Sequence, residues 1–492
     1  MAFSKIDLKN DQNGFWSIPY NAYRQFFYMS ALMFCILFNQ TVLRILKDSI
    51  LIGEVSAEIT NFAKVYCVTP VAAIFVIIYA KLVNKFTFLQ IFSYLILFFL
   101  GFFILFAWVI YPNISFWHLE SSRMENLCLI YPHLKWYIKL WEHWSYVVFY
   151  VLAELWPNIF YVLLFWQLAN QTTSTEQAKK FYIRFSLFGN SAVIVAGLMM
   201  MNVASEKSFV HQYFNDSAKI VLVQISICCL AIFSLLSILF VKLIIKHNNI
   251  NPDNSKLTNG KTKLGLIDSF KYISSSKYLW LLLICSASFG LTMNLVESVW
   301  KAKIKELYVD VGRYAEFNAL YMTWTGVAIM LMTLVGNSIF KYQNWFVAAV
   351  ITPVIIMTTG IIFFTLIVFE DQMICIQDKI MLTSPLILAV SIGAIQNIIV
   401  KGTKYSIWDT SREMLYIPLD NELKTKGKAA VDVISSKIGK SSSGLIQSIL
   451  FTIFPAATAI SVAPLMMIVF IIACALWIWA VRIIYHEYKK II

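Results

Sequence analysis

The residues best placed to do chemistry are a few charges set inside long apolar runs. Glu154 stands in YVVFYVLAELWPNIFYVLLFW, Glu297 in SASFGLTMNLVESVWKAK, Arg44 and Lys47 in FNQTVLRILKDSI, and Lys440 in SSKIGKSSSGLIQS. An ionisable group in hydrocarbon costs roughly 2.5–3.5 kcal/mol on insertion scales, so each one found there is a candidate for function. Arg44 and Lys47 are three apart and share a helix face. Both residue types donate charge-assisted hydrogen bonds to phosphate oxygens, and Arg can bind two at once. Cations at the mouths of a cavity with carboxylates deeper suit an anionic cargo; the carboxylates would tune the bases, gate access or carry a proton. Trp324 could stack a flat base. Each residue also has a plainer reading. Glu154 could be paired for packing, Glu297 could lie at the interface beside Lys301 and Lys303, and Arg44 and Lys47 could anchor a helix end. Lys440 could be one more cytoplasmic lysine, and Lys64 reads as snorkelling from a helix end. With 15 Trp, 24 Tyr and 38 Phe in the chain, most aromatic rings simply pack or meet lipid.

The elements that must position these groups follow from composition. The chain has 492 residues, 59% hydrophobic and 14% charged, with a mean hydropathy of +0.70. Soluble domains carry roughly 45–50% apolar and about 25% charged residues. A soluble enzyme and a disordered scaffold are both excluded, and an all-α membrane protein in the lipid bilayer is predicted. The excess of 40 Lys+Arg over 27 Asp+Glu, a formal +13, would suggest nucleic acid in a soluble chain. Here it points to cytoplasmic loops and an anionic substrate, with no nucleic-acid partner.

A membrane helix needs about 20 mostly apolar residues. Twelve transmembrane helices are predicted, at 26–43, 62–80, 91–111, 146–166, 185–203, 220–241, 278–299, 320–339, 345–369, 380–400, 444–460 and 462–481, the last two joined by a tight turn near Ser461. An even count puts both termini on one side. Segments on the termini's side carry more than twice the Lys and Arg of the opposite segments, so both termini are predicted cytoplasmic. The polar stretch 246–277 splits the chain into two six-helix halves, 26–245 and 278–481, with a segment 1–25 before and a tail 482–492 after. This plan is major-facilitator-like. Phe188-Gly189-Asn190-Ser191 and Ile438-Gly439-Lys440-Ser441 open the equivalent fifth and eleventh spans, a weak internal echo.

Several chemistries lack their residues. The N-terminus has no apolar signal-peptide core. The eight Cys have no CxxC spacing and read as packing residues, with a Cys128–Cys375 bond conceivable. Gly439-Lys440-Ser441 mimics the tail of a phosphate-binding P-loop, but the glycine required five positions earlier is Ile434; at Gly260-Lys261-Thr262 it is Ser255. His118, His133, His143, His211, His247 and His486 lie in loops or at span edges, so no intramembrane metal or acyl-transfer centre is expected. No P-x-[DE]-x-x-[KR] triplet of the six-helix mitochondrial carriers occurs. The residues alone predict a secondary transporter for an organic anion of the phosphorylated class, with no catalytic residues, cofactor or metal.

Long stretches go further. KYSIWDTSREMLYIPLDNELKTKGKAAVDVISSKIGKSSSGLIQS, YPHLKWYIKLWEHWSY, AELWPNIFYVLLFWQLANQTT, MNLVESVWKAKIKELY and AVSIGAIQNIIVKGTKYS, with LMFCILFNQTVLRILKDSI, run nearly end to end. Together they resemble the ATP/ADP translocases of obligate intracellular bacteria and plastids, the rickettsial and chlamydial nucleotide transporters. The resemblance implies a twelve-helix carrier in the bacterial inner membrane that exchanges host ATP for bacterial ADP and can work as a monomer. It carries functional charged positions onto Lys47, Glu154, Glu297 and Lys440, the last on resemblance alone. Two departures stand out: Pro157-Asn158 follows Glu154-Leu-Trp where ATP/ADP exchangers tend to have Gly, and Ser435, Ser436 and Ser442 stand where glycines are common. Paralogues of this family carry GTP, UTP or CTP, so the base stays open, as does exchange against proton symport.

Overall fold

The computed structural model describes residues 23–172, 175–214, 217–248, 276–342, 345–370, 372, 384–416 and 428–491. The main helices are α1 (Tyr23–Glu54), α2 (Ile59–Lys85), α3 (Phe88–Trp117), α4 (Trp144–Thr172), α5 (Thr175–Ala204) and α6 (Ala218–His247). They continue with α7 (Lys277–Leu307), α8 (Val311–Tyr342), α9 (Trp345–Val368), α10 (Pro385–Met414), α11 (Lys428–Ile453) and α12 (Ala463–Ile491). Two shorter helices, Ser121–Ile130 and Lys135–Glu142, lie between α3 and α4.

Among the described residues, ten helices are long and apolar enough to cross a membrane: α1–α7, α9, α10 and α12. Helices α8 and α11 stand at the eighth and eleventh predicted spans but fall outside that set. Among the described residues the apolar part of α11 is Ser441–Ile453, and it buries Ser443, Gln447 and Ser448. Those side chains face protein, so its composition answers to neighbouring helices rather than to lipid. The lipid-type faces are elsewhere, for example Ile74 and Ile77 on α2, Leu97 and Phe98 on α3, and Ile468 and Trp479 on α12, all exposed.

Helix α1 is the centre of the bundle. It has no interior Gly or Pro before Gly53, it is buried on every side, and it packs on α4, α5, α6 and α8. It extends well past the predicted end at residue 43. The expectation that Arg44 and Lys47 close the first span at a cavity mouth is therefore corrected: both lie within the helix, and ion pairs rather than water balance their charge. Helices α5 and α8 approach closely through small residues, since a Cβ at Gly197 would meet the Ala319 carbonyl at 3.0 Å and one at Gly326 would meet Ile194 at 2.8 Å.

Four stretches wind as π-helix: 63–68 in α2, 106–110 in α3, 157–165 in α4 and 404–408 in α10. The third has a visible cause. Pro157 has no N–H to give the preceding turn, and beside it Asn158 Nδ2 donates to the Glu154 carbonyl at 3.2 Å. π-Bulges of this kind recur at functional sites, and those in α2, α4 and α10 each contain or adjoin an ionisable residue: Lys64, Glu154 and Lys401.

Between α11 and α12 the chain turns on reciprocal bonds. The Thr458 N–H donates to Ser461 Oγ at 2.9 Å and the Ser461 N–H donates to Thr458 Oγ1 at 3.2 Å. The expected polar stretch 246–277 falls mostly outside the described residues, as do the N-terminal segment through residue 22 and Cys375.

Candidate functional site

Six charged side chains from α1, α4 and α7 form an unbroken row of alternating sign. Glu154 Oε1 accepts from Lys47 Nζ at 2.8 Å. Lys47 also donates to Asp48 Oδ1 at 2.9 Å, and the other oxygen, Oδ2, accepts from Lys301 Nζ at 2.9 Å. Lys301 donates in turn to Glu297 Oε1 at 3.0 Å, and Arg44 lies 3.8 Å from that same oxygen. The order is Glu154, Lys47, Asp48, Lys301, Glu297, Arg44. Lys47, Asp48 and Lys301 are almost wholly buried, while Arg44 and Glu154 are about one-quarter to one-third exposed at the side chain.

Local helix geometry explains each pairing. Glu297 and Lys301 are i,i+4 on α7, neighbours on one face. Lys47 and Asp48 are sequence neighbours that point apart on a helix, and only the long lysine stem lets the ammonium return to the aspartate. That ammonium also sits 4.5 Å over the Tyr150 ring, one turn before Glu154 on α4.

Two more ammonium groups stand in the same field. Lys64, at the π-bulge of α2, is within electrostatic reach of Lys47, Glu154, Glu297 and Lys301. Lys401 on α10 is buried, donates to the Tyr321 hydroxyl of α8 and lies 4.7 Å over that ring; Arg44, Glu297 and Lys301 are within its reach. Lys64, read from the sequence as snorkelling from a helix end, is half-buried and lies in the field of the cluster.

Four of the sequence candidates thus converge: Arg44, Lys47, Glu154 and Glu297. Glu297 turns inward to Lys301 rather than outward to an interface. The carboxylates do not lie deeper than the cations; they are interleaved with them. The Lys440 side chain lies outside the described residues. Trp324 is exposed, one turn from Tyr321 and on a stripe with Leu320 and Leu331. Sequence reasoning missed Asp48, Lys301 and Lys401. The first was hidden by ending span one too early, while the other two looked like positive loop residues beyond their spans.

Among the described residues, bonds that tie the N-terminal helices to the C-terminal ones cluster from mid-helix to the end away from the termini. Asn61 Nδ2 donates to Ser298 Oγ and Gln447 Oε1, both at 3.0 Å, and the Ala459 N–H donates to Glu58 at 2.9 Å. Further out, Lys305 donates to the Gly53 carbonyl, Arg313 pairs with Glu206, and Lys219 reaches Asp310 at 3.5 Å. A cavity of about 950 Å³ lies among these last groups, lined by Glu206, Lys207, Lys219, Asp310 and Arg313. Outside the spans, burial holds the His118 imidazole down at about 4. Its Nε2 lies 2.7 Å from Ser145 Oγ.

An alternating charge row between two helix sets can loosen and re-form as an anion enters, which is the chemistry of a carrier. The fold is shared with solved transporters. A bacterial homologue of the iron transporter ferroportin, in an inward-facing state, superposes with TM-score 0.58 at 11% identity, over 96% of this chain and 99% of that one. A mutant of the nucleoside transporter NupG gives 0.52 at 10% identity, over 94% and 99%. By fold the protein is a multi-pass helical membrane protein.

The sequence assigns the family. The profile of the TLC ATP/ADP transporter matches residues 2–488, and the chain belongs to that family. It is 62% identical to ADP,ATP carrier protein 5 of Rickettsia felis, over 97% of each chain. With carrier protein 5 of Rickettsia prowazekii it shares 61%, over 97% of this chain and 96% of the relative. Carrier protein 4 of Rickettsia bellii is 39% identical, over 96% and 92%.

Proposed function

We propose that this chain exchanges external ATP for internal ADP across a bacterial inner membrane by alternating access. The observation that carries the reading is the alternating row of Lys47, Asp48, Glu154, Glu297, Lys301 and Arg44 in a member of a nucleotide-transporter family. In the proposed architecture α1–α12 make twelve crossings in two six-helix halves, both termini are cytoplasmic, and the chain works as a monomer. The bonds at the far end then close the outer side, and nucleotide enters the cluster from the cytoplasm.

Phosphate oxygens compete with Asp48, Glu154 and Glu297 for the same donors, so a loaded site can release the links that hold the two halves in one arrangement. An empty site cannot, and exchange without leak follows. Lys440 is assigned to phosphate from the opposite mouth, and Trp324 to the base. Importing ATP(4−) for ADP(3−) against about 100 mV, interior negative, costs about 2.3 kcal/mol, which the nucleotide gradient or a co-exported phosphate offsets.

A second reading, a paralogue carrying GTP, UTP or CTP by exchange or proton symport, is favoured by Pro157-Asn158 and the π-helical turn they set beside Glu154. Against symport, each carboxylate of the row already accepts from a cation and is a poor proton carrier until that bond breaks. Uptake of labelled ATP, ADP, GTP, UTP, CTP and NAD into vesicles, with and without internal nucleotide, tests both readings. ATP and ADP entering only preloaded vesicles supports the first; uptake into empty vesicles driven by a pH gradient overturns it.

A further inference from the structure

Among the described residues the alternating row balances: three cations, Arg44, Lys47 and Lys301, face three carboxylates, Asp48, Glu154 and Glu297. Lys64 and Lys401 are outside that balance. Among the described residues neither ammonium has a carboxylate at ion-pair distance, and the hydrogen-bond partner of Lys401 is a neutral phenol. Both sit within reach of Lys301, so each feels a like charge as well as Glu297. Lys401 is buried and Lys64 half-buried, and a cation out of water without a counter-charge is among the costliest arrangements in a protein interior. They also stand on opposite sides of the molecule's seam, Lys64 on α2 among the N-terminal helices and Lys401 on α10 among the C-terminal ones.

We infer that Lys64 and Lys401 are the substrate's own partners: the polyphosphate of the nucleotide supplies the two negative charges the site lacks and links the two helix sets through these ammonium groups. Tyr321 holds Lys401 in place for this without neutralising it. The rest of the row keeps its internal pairs while the site waits. This rests on the nucleotide-carrier reading and adds two residues and a charge requirement. Ligands with at least two phosphate charges complete the site; a nucleoside, which brings none, does not.

The balance gives opposite predictions for two kinds of lysine. In the purified full chain, Lys401→Met or Lys64→Met removes an uncompensated charge, so the melting temperature without ligand holds or rises, while the upward shift given by saturating ATP or ADP shrinks and the apparent affinity falls roughly tenfold or more. Lys401→Arg, which keeps the charge, restores most of the shift. Lys47→Met strands Asp48 and Glu154 and lowers the melting temperature without ligand. An ATP- or ADP-induced shift in Lys401→Met and Lys64→Met equal to that of the unchanged protein overturns the inference, whichever way the ligand-free value moves. If the unchanged protein shows no shift with any nucleoside di- or triphosphate, the carrier reading itself fails, a separate result.

Discussion

Lys301 of α7 reaches Asp48 of α1 at 2.9 Å, joining the C-terminal helices to the N-terminal ones at the centre of the charge row. Asp48 takes Lys47 on its other oxygen, so its carboxylate, like that of Glu297, pairs with cations of both sets, here at 2.9 Å on each side. Removing one partner of such a buried pair costs about 3–5 kcal/mol, because the other is left without compensation. Asp48→Asn is expected to lower the melting temperature and to abolish nucleotide uptake. The double variant Asp48→Asn with Lys301→Gln should lose less stability than the two single losses added together, and a double-mutant cycle on thermal unfolding measures that coupling.

Pro157 sets the local winding below Glu154, and the Asn158 side chain donates to the Glu154 carbonyl beside it. Pro157→Ala permits a regular α-helical turn and rotates the residues after Glu154 against those before it. Labelled-nucleotide uptake should fall several-fold while the folded fraction, measured by gel filtration, is unchanged. A full loss of folded protein would mean that the π-helical turn serves packing alone.

At the end away from the termini, Arg313–Glu206 and Lys219–Asp310 join helices of opposite sets at exposed positions. Exposed pairs are worth only about 0–1 kcal/mol each, which suits a closure that must open on every cycle. Cysteines at 206 and 313, cross-linked, should stop transport, and reduction should restore it. Arg313→Gln should instead raise labelling of Asn61→Cys by a membrane-impermeant thiol reagent added from that side.

The His118 imidazole is held at about 4 by burial, with His143 Nδ1 3.4 Å from its own Nδ1 and Tyr146 against its ring. Burial lowers His143 as well, beside the Glu142–Lys139 pair. An unfolded chain takes up these protons near pH 6.5, so the stabilisation is complete above that value and is lost as pH falls through about 6.5 toward 4. Thermal unfolding between pH 7.5 and 5 should show a decline that His118→Gln reduces.

The sequence was most legible where burial speaks in one letter. Glu154 and Glu297, carboxylates within apolar runs, could be singled out without any structure, and both belong to the row. Asp48 and Lys301 were not legible, because a span is read from hydropathy and these residues lower it. The first predicted helix stops at 43 where the real one runs to Glu54, since Arg44, Lys47 and Asp48 are tolerated through partners on other helices.

The central claim, that the charge row drives strict nucleotide exchange, is tested most directly in vesicles containing the purified chain and loaded or not with ADP. Labelled ATP should enter the loaded vesicles alone, and Lys47→Ala should abolish that entry in protein that still folds. Equal entry into empty vesicles, or exchange by Lys47→Ala at the rate of the unchanged protein, would contradict it.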